Sequence, residues 1–358
     1  MKPLYNLFKN SLLLTLLSGA GLSAQQKLNQ TQVIGTHNSY KVAIDQPVMD
    51  TLRKVNPGRA ERIDYSHEPI EKQLARGMAN LELDIAVDRQ GGKYAHPAFY
   101  EKFKEKYHLP VYNEDGEMNK PGFKILHIQD LDFRSHSPSL SRCLAMLKKW
   151  SEEHPGHHPV FITMNAKDNA DPGLPTVPDK FTTEDFRELD RQITRELGRD
   201  KLLIPADVQG EYASLEEAVL RQGWPELEKT RGRFIFILDE KAEKRAAYLG
   251  NEEAGQVFFT DSPEGDPHAA IMIINDPKRG FDRISGLVKK GYIIRTRADA
   301  DTFEARKNDF SRFKAACESG AQIITTDYYE KSKHFKSDYF IQFPGGTYVR
   351  RNPVTGGQ

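Results

Sequence analysis

Short runs of β-branched and aromatic residues recur along the chain, and helix-patterned segments separate most of them. Strands that alternate with helices favour parallel βα units, and eight such runs favour a closed (β/α)₈ barrel, a TIM barrel, over an open doubly wound sheet. A further apolar run at 257–260 is interpreted as loop, because it closely follows Gly255 and no helix separates it from the next run. The eight predicted strands are 32–36, 80–85, 124–128, 159–164, 233–238, 271–274, 292–296 and 322–326.

Start and stop signals predict the helices between these strands. Glycine follows two of the helical segments, and proline comes shortly after a third. Ser214 is the predicted N-cap of a further helix, and Asp301 the N-cap of a single helix that continues to Glu318. The first three helices are predicted at 68–76, 139–152 and 182–197.

The amino-terminal residues have the layout of a secretory signal peptide. Lys2 and Lys9 precede an apolar stretch at 11–17, and small residues lead to Ala24. The stretch is shorter than the roughly 20 apolar residues of a membrane span. We therefore expect cleavage after Ala24 and export, with residues 25–358 forming one catalytic barrel domain.

The overall charge of the chain limits its possible partners. The chain of 358 residues contains 51 Lys plus Arg and 51 Asp plus Glu, so no overall field attracts nucleic acid, and no nucleic-acid partner is expected.

Two long polar segments, 87–122 and 240–268, are interpreted as insertions. In a barrel they would follow strands and lie at the catalytic, carboxyl-terminal face.

Glu82 and Asp84 are two residues apart on a predicted central strand, so both side chains point to one face of the sheet. Two adjacent carboxylates in such a place are costly unless a cation or several hydrogen-bond donors compensate them. A solvent-facing edge strand would also explain the pair, but it conflicts with a central position. The pair therefore indicates a metal or catalytic site.

Polar residues follow the other early strands in the same way. His37 and Asn38 end the first strand, His127 ends the third, and Asn165 ends the fourth, with Lys167 two residues further on. Histidines supply acid and base chemistry, while amide and carboxylate oxygens suit Ca²⁺, or less well Mg²⁺. Because the strand ends of a barrel meet at one face, these residues predict one site for metal-assisted phosphodiester cleavage.

The order and types of these residues resemble the calcium-dependent phosphatidylinositol-specific phospholipase C family, in its secreted bacterial branch within the PLC-like phosphodiesterase superfamily. The resemblance extends over nearly the whole chain beyond residue 24. It implies that the two histidines are catalytic, that Glu82 is a possible proton acceptor, and that Asn165 replaces a glutamate usual in eukaryotic members. The implied catalytic residues are His37, His127 and Glu82, and the implied Ca²⁺ ligands are Asn38, Glu82, Asp84 and Asn165.

Arg295 and Arg297 lie two apart on the seventh predicted strand, so they can face a phosphate or head-group hydroxyls together, and Lys167 is a further candidate phosphate contact. The alternative is that the arginines balance Asp299 and Asp301 at the rim.

The expected activity is cleavage of phosphatidylinositol, or of a related inositol phospholipid or glycolipid, to diacylglycerol and a cyclic inositol phosphate. A monomer that contacts the membrane surface transiently is expected. One alternative is a glycerophosphodiester phosphodiesterase, in which arginine normally follows the first histidine, where this chain has Asn38. Another is a secreted binding protein without turnover.

Overall fold

The computed structural model describes residues 25–250 and 255–356, so the predicted signal peptide at 1–24 lies outside the described residues. Among the described residues, no helix has the length and apolarity that a membrane span requires. The strands are β1 (Thr31–Thr36), β2 (Asn80–Asp88), β3 (Gly122–Ile125), β4 (Val160–Ala166), β5 (Phe234–Leu238), β6 (Phe258–Thr260), β7 (Ile271–Ile273), β8 (Ile293–Arg297), β9 (Ile323–Thr326) and β10 (Val349–Arg351).

Helices lie between most of these strands. They are α1 (Gln46–Val55), α2 (Pro57–Arg62), α3 (Ile70–Ala75), α4 (Ala98–Tyr107), α5 (Leu140–Glu153), α6 (Thr183–Leu197), α7 (Pro205–Gln209), α8 (Leu215–Arg221), α9 (Leu227–Thr230), α10 (Ala242–Leu249), α11 (Phe281–Lys290), α12 (Phe303–Lys307) and α13 (Ser311–Glu318). The predicted cap Ser214 is confirmed, because its side chain accepts a hydrogen bond from Glu217 N in the first turn of α8. Ser139 and Thr182 cap α5 and α6 in the same way. The predicted cap Asp301 is wrong, because the residue that directly precedes α12 is Thr302.

Among the described residues, eight parallel strands, β1, β2 and β4 to β9, form the α/β barrel that the sequence predicts. They belong to two sheets ordered β10-β1-β9-β8-β7 and β3-β2-β4-β5-β6, in which β10 and β3 are antiparallel edge strands. At one seam, a parallel bridge between Asp261 and Ile271 links β6 to β7. At the other, Ala79 N donates to Ile34 O at 3.3 Å. Within the described residues no ladder runs continuously around the ring, so the barrel is not closed by strand pairing.

The prediction that the third strand belongs to the parallel barrel is wrong. β3 is antiparallel to β2, with Ile85 opposite Ile125, and β2 instead pairs in parallel with β4. The segment between β2 and β3 returns the chain beside β2 in the opposite direction, and apolar spacing does not reveal strand direction. The run at 257–260, interpreted as loop, forms β6, which pairs in parallel with β5 and takes the vacant place in the ring.

The single helix predicted from Asp301 to Glu318 is also wrong, because it is divided into α12 and α13. Asn308 between them has a φ of 52°, a left-handed conformation that ends a helix. The Asp309 carboxylate then accepts from Ser311 N at 2.8 Å and begins α13.

The alternation within β2 determines where the site lies. Leu81, Leu83 and Ile85 are fully buried in the apolar layer shared with residues of α5 and α6. Glu82 and Asp84 therefore face the inside of the barrel, toward its carboxyl-terminal end.

We expect Gly35→Ala to destabilise the protein, because a Cβ at Gly35 would lie 2.1 Å from the main-chain oxygen of Asn80 across the β1–β2 seam. Overpacking of this kind lowers the free energy of unfolding by about 1–3 kcal/mol, measurable by urea denaturation. The matched control is Gly286→Ala on α11, where the added Cβ meets no atom within 4 Å and should stabilise by up to about 1 kcal/mol. Equal effects of the two substitutions would contradict the close approach at the seam.

Candidate active site

The carboxyl-terminal ends of the strands surround a polar cavity of about 200 Å³. Every residue that the sequence proposes for the site lines this cavity, and Asp239 and Asn275 join them. The residues are His37, Asn38, Glu82, Asp84, His127, Asn165, Lys167, Asp239, Asn275, Arg295 and Arg297.

His37 is oriented by a buried carboxylate after β9. Its Nδ1 lies 2.9 Å from Asp327 Oδ1, and its Nε2 lies 3.7 Å from Glu82 Oε1. Burial, followed by the nearby Arg297 guanidinium, holds the pKa of His37 well below its ordinary value of 6.5. A neutral imidazole that donates from Nδ1 to Asp327 leaves Nε2 as an acceptor facing the cavity.

Asp327 is in turn held from two sides. Arg297 Nη2 lies 3.3 Å from Asp327 Oδ2, and Asp327 N donates to Asp299 Oδ1 at 2.9 Å. Burial raises the pKa of Asp327, and burial together with Asp327 raises the pKa of Asp299 to about 7. Arg297 is thus the cation nearest to this pair of carboxyl groups.

His127 is oriented in a similar way on the opposite side of the cavity. Its Nδ1 lies 2.7 Å from Asp132 Oδ2, and the same oxygen accepts from Lys41 Nζ at 2.6 Å. The Lys41 side chain is fully buried and that of Asp132 is 1% exposed. This ion pair therefore holds the histidine partner in place without help from solvent.

Tyr65 connects the two histidines. Its hydroxyl accepts from Asn38 Nδ2 at 2.8 Å and lies 3.3 Å from His37 Nδ1. Lys41 Nζ, which holds the Asp132 partner of His127, lies 5.0 Å from the centre of the Tyr65 ring. The Lys41–Tyr65 contact therefore links the surroundings of His37 to those of His127.

Glu82 and Asp84 on β2 each have a cation beside them. Arg295, which is 1% exposed, donates from Nη2 to Glu82 Oε2, and Asn165 Nδ2 donates to Glu82 Oε1 at 3.2 Å. Lys167 Nζ lies 3.2 Å from Asp84 Oδ2. The basic side chains expected to meet substrate thus also neutralise Glu82 and Asp84.

Arg295 and Arg297 both face the cavity, as their spacing predicts, but their partners differ from the alternative considered for them. Arg295 pairs with Glu82, and Arg297 pairs with Asp327. Arg297 does contact Asp299, through the main-chain oxygen at 3.0 Å from Nε.

The donor chemistry of the cavity fits Ca²⁺. Two carboxylates and two amides, from Asn38, Glu82, Asp84 and Asn165, offer the hard oxygen ligands that this ion takes. Among the described residues, no three His, Cys, Asp or Glu side chains group as a metal site. The candidate set is therefore of the mixed amide and carboxylate kind, and these four side chains would hold the ion through their oxygen atoms.

The sequence alone missed the supporting residues Lys41, Tyr65 and Asp132 as parts of the site. Lys41 lies four residues after His37, and Asp132 five after His127, so closeness along the chain to a candidate histidine is a usable signal. Asp327 directly follows the last barrel strand, where the rule that polar residues at strand ends meet places it near the pocket, and the structure shows it in contact with His37.

We expect Lys41→Met to destabilise the protein strongly, because it leaves the buried Asp132 carboxylate without its cation. Removing one partner of a buried ion pair lowers the free energy of unfolding by about 3–5 kcal/mol. Lys54→Met on the exposed side of α1 is the control and should change it little. Adding Asp132→Leu to Lys41→Met should restore part of the loss, and a double variant no more stable than the single one would contradict the argument.

A known protein family matches almost the whole described chain. The family model described as phosphoinositide phospholipase C, Ca²⁺-dependent, matches residues 26–353. No curated protein sequence matches the chain.

Solved structures share the fold at low sequence identity. One is a Ca²⁺-dependent phosphatidylinositol-specific phospholipase C from Streptomyces antibioticus, with a TM-score of 0.54 and 17% identity, covering 85% of this chain and 95% of that one. Another is a calcium-dependent phosphoinositol-specific phospholipase C from a Pseudomonas species, with a TM-score of 0.54 and 14% identity, covering 91% and 96%. These structures share the fold, and the family model over residues 26–353 establishes that the chain belongs to the Ca²⁺-dependent phosphoinositide phospholipase C family.

Proposed function

We propose that the protein cleaves phosphatidylinositol or a related inositol phospholipid, with release of diacylglycerol and a cyclic inositol phosphate. The observation that carries the proposal is the arrangement of His37 and His127, each held by a buried carboxylate, in one cavity with the Ca²⁺ ligand set. One histidine can then take a proton while the other gives one, as an internal displacement at phosphorus requires.

The side chains divide this work. Asp327 holds His37 so that Nε2 takes the proton of the inositol 2-hydroxyl, and Asp132 holds His127 so that its ring protonates the leaving diacylglycerol oxygen. Asn38, Glu82, Asp84 and Asn165 would hold Ca²⁺, which would lower the pKa of the attacking hydroxyl and offset the charge that develops on the phosphoryl oxygens. Glu82 is less suited to accept the proton, because Arg295 and Asn165 already engage its two oxygens.

The test is turnover of phosphatidylinositol by the purified protein with and without a chelator. We expect activity with Ca²⁺ and its loss with the chelator. His127→Ala should lower kcat by about 10²–10⁴-fold, the usual contribution of a general acid. The control is His154→Ala, since His154 lies in the exposed turn that leads to β4, away from the cavity.

Two outcomes would contradict the proposal. Activity that survives the chelator would remove Ca²⁺ from the reaction. Cleavage of glycerophosphocholine but not of phosphatidylinositol would assign the protein to the glycerophosphodiester phosphodiesterases.

We also propose that one side of the cavity rim touches the lipid surface. Val55, Tyr107, Val111 and Val177 are 74%, 45%, 66% and 59% exposed, although all are large apolar side chains. They lie on segments that follow β1, β2 and β4, on the same face as the cavity. Exposed apolar side chains grouped on one face are typical of membrane contact sites.

The residues around these four side chains support the proposal of an apolar rim. Residues of α1 and α4 pack with Leu109 and Leu174 in one hydrophobic cluster. The four exposed side chains lie on the segments that form this cluster. Lys106 Nζ lies 5.1 Å from the centre of the Tyr107 ring, so a cation accompanies the apolar surface. Anionic head groups would favour such a pairing.

We expect the double substitution Val111→Asp and Val177→Asp to weaken binding to vesicles of phosphatidylcholine and phosphatidylinositol by about tenfold or more, since each buried valine contributes at least about 1.5 kcal/mol. Cosedimentation measures it. Turnover of a soluble inositol phosphodiester should not change. Leu220→Asp is the control, because Leu220 is 47% exposed on α8 and the preceding residue, Val219, lies beside Gly291. Gly291 precedes β8 and therefore lies at the amino-terminal end of the barrel, away from the cavity. Equal binding by both variants would exclude this rim as the contact surface.

We further propose that the protein is exported, on the basis of its first 24 residues. Amino-terminal sequencing of protein recovered outside the cytoplasm should begin at Gln25. Recovery of the uncleaved chain from the cytoplasm alone would contradict export.

A further inference from the structure

Three side chains outside the cavity at the strand ends form a hydrogen-bonded series. Ser66 Oγ lies 2.8 Å from His334 Nε2, and His334 Nδ1 lies 2.9 Å from Asp64 Oδ1. Ser66 lies in the segment after β1 and His334 in the segment after β9, and these two strands pair in parallel, so the segments that follow them meet. A hydroxyl, a base and a carboxylate that orients the base are therefore within hydrogen-bond reach of one another.

The carboxylate of this series is held in its ionised form. Asp64 is 8% exposed, and its Oδ2 lies 3.3 Å from both Arg53 Nη2 and Arg306 Nη2, which leaves Oδ1 to His334. Burial acts to raise the pKa of Asp64, but the His334 hydrogen bond and the Arg53 guanidinium outweigh it, so this pKa lies below its ordinary value. An ionised Asp64 accepts from His334 Nδ1–H and leaves Nε2 to accept from the Ser66 hydroxyl.

The segment that carries His334 is fixed from both sides. Ser332 Oγ accepts from His334 N at 3.1 Å and from Phe335 N at 3.3 Å. The Arg306 guanidinium carbon lies 4.0 Å from the centre of the Phe335 ring. Because Arg306 also contacts Asp64, this stacking joins the segment of the base to the carboxylate that orients the base.

A small slot adjoins the serine. Ser66 and His334 are half-buried and line this slot, whose volume is about 10 Å³. That is roughly the room one water molecule needs, so an acyl group no larger than acetyl fits beside the hydroxyl. Tyr65 and Asp327 also line the slot, and both contact His37, so they form the wall between the slot and the cavity at the strand ends.

We propose that Ser66 is the nucleophile of a second hydrolytic site, which cleaves esters of short acyl groups. Ser66 Oγ attacks the ester carbonyl carbon while His334 Nε2 takes the hydroxyl proton. The bond to the alcohol oxygen then breaks, and His334 gives that proton to the leaving alcohol. Water attacks the acyl group on Ser66 and its proton passes through His334 to Ser66 Oγ, which releases the carboxylic acid and restores the serine.

This site recurs by geometry and not by fold. The series of serine, histidine and aspartate serves acyl transfer on unrelated folds, and it is recognised by the roles and distances of its members. Ser66, His334 and Asp64 have no part in the proposed cleavage of phosphatidylinositol. The two activities can therefore be separated by substitution.

The experiment is reaction of the whole protein with methanesulfonyl fluoride, which sulfonylates an activated serine hydroxyl and releases fluoride. We expect mass spectrometry to find one methylsulfonyl group, on Ser66. The bulkier phenylmethanesulfonyl fluoride should leave Ser66 unlabelled, because its ring exceeds the slot. An unlabelled Ser66 after reaction with the methyl reagent, or a label on another residue instead, would overturn the proposal.

Variants of the series test the mechanism. Ser66→Ala and His334→Gln should each lose the label and lower the hydrolysis of para-nitrophenyl acetate by about 10²-fold or more, the usual contribution of a positioned acid–base group. Ser141→Ala is the matched control, because Ser141 is exposed on α5 and bonds to Glu196 and not to a histidine. Urea denaturation checks that all three variants are folded. Ester hydrolysis that Ser66→Ala leaves unchanged would contradict the proposal.

The variant His127→Ala separates this site from the cavity at the strand ends. It should lose turnover of phosphatidylinositol and keep both the label on Ser66 and the hydrolysis of the acetate ester. If His127→Ala removes the label, the reactivity belongs to the cavity and the second site is excluded.

Discussion

The burial of two carboxylates on one strand is the constraint on which the site depends. Glu82 and Asp84 are each 3% exposed, and β2 turns both toward the inside of the barrel. Charges in such a position persist only with opposite charges beside them. Arg295 comes from β8 and Lys167 follows β4, so this requirement ties distant parts of the barrel to β2.

The same physical solution recurs at the histidines. Asp327 orients His37 and is paired with Arg297, while Asp132 orients His127 and is paired with Lys41. Each histidine is thus positioned by a buried carboxylate, and each carboxylate is paired with a buried or half-buried basic side chain. Because such pairs have fixed geometry, the cavity is shaped before any ligand arrives.

The sequence predicted most of the residues that line the cavity, but not Asp239 and Asn275, because two local rules apply to the predicted ones. Side chains two apart on a strand share a face, and the ends of parallel strands meet, so Glu82, Asp84 and Asn165 could be placed without coordinates. Lys41 and Asp132 lie in irregular segments, whose path no periodicity describes. The direction of β3 was missed for a different reason: antiparallel and parallel strands can show the same apolar runs.

The last strand that the structure describes, β10, pairs with the first strand, β1. Residues of β10 pair with β1 from Thr31 to Val33, and Tyr348 O accepts from Ile34 N at 2.7 Å, three residues before His37. A ribosome must therefore have made residue 351 before β1 acquires all its neighbours. A chain that ends before Val349 therefore leaves this edge of β1 without its partner strand.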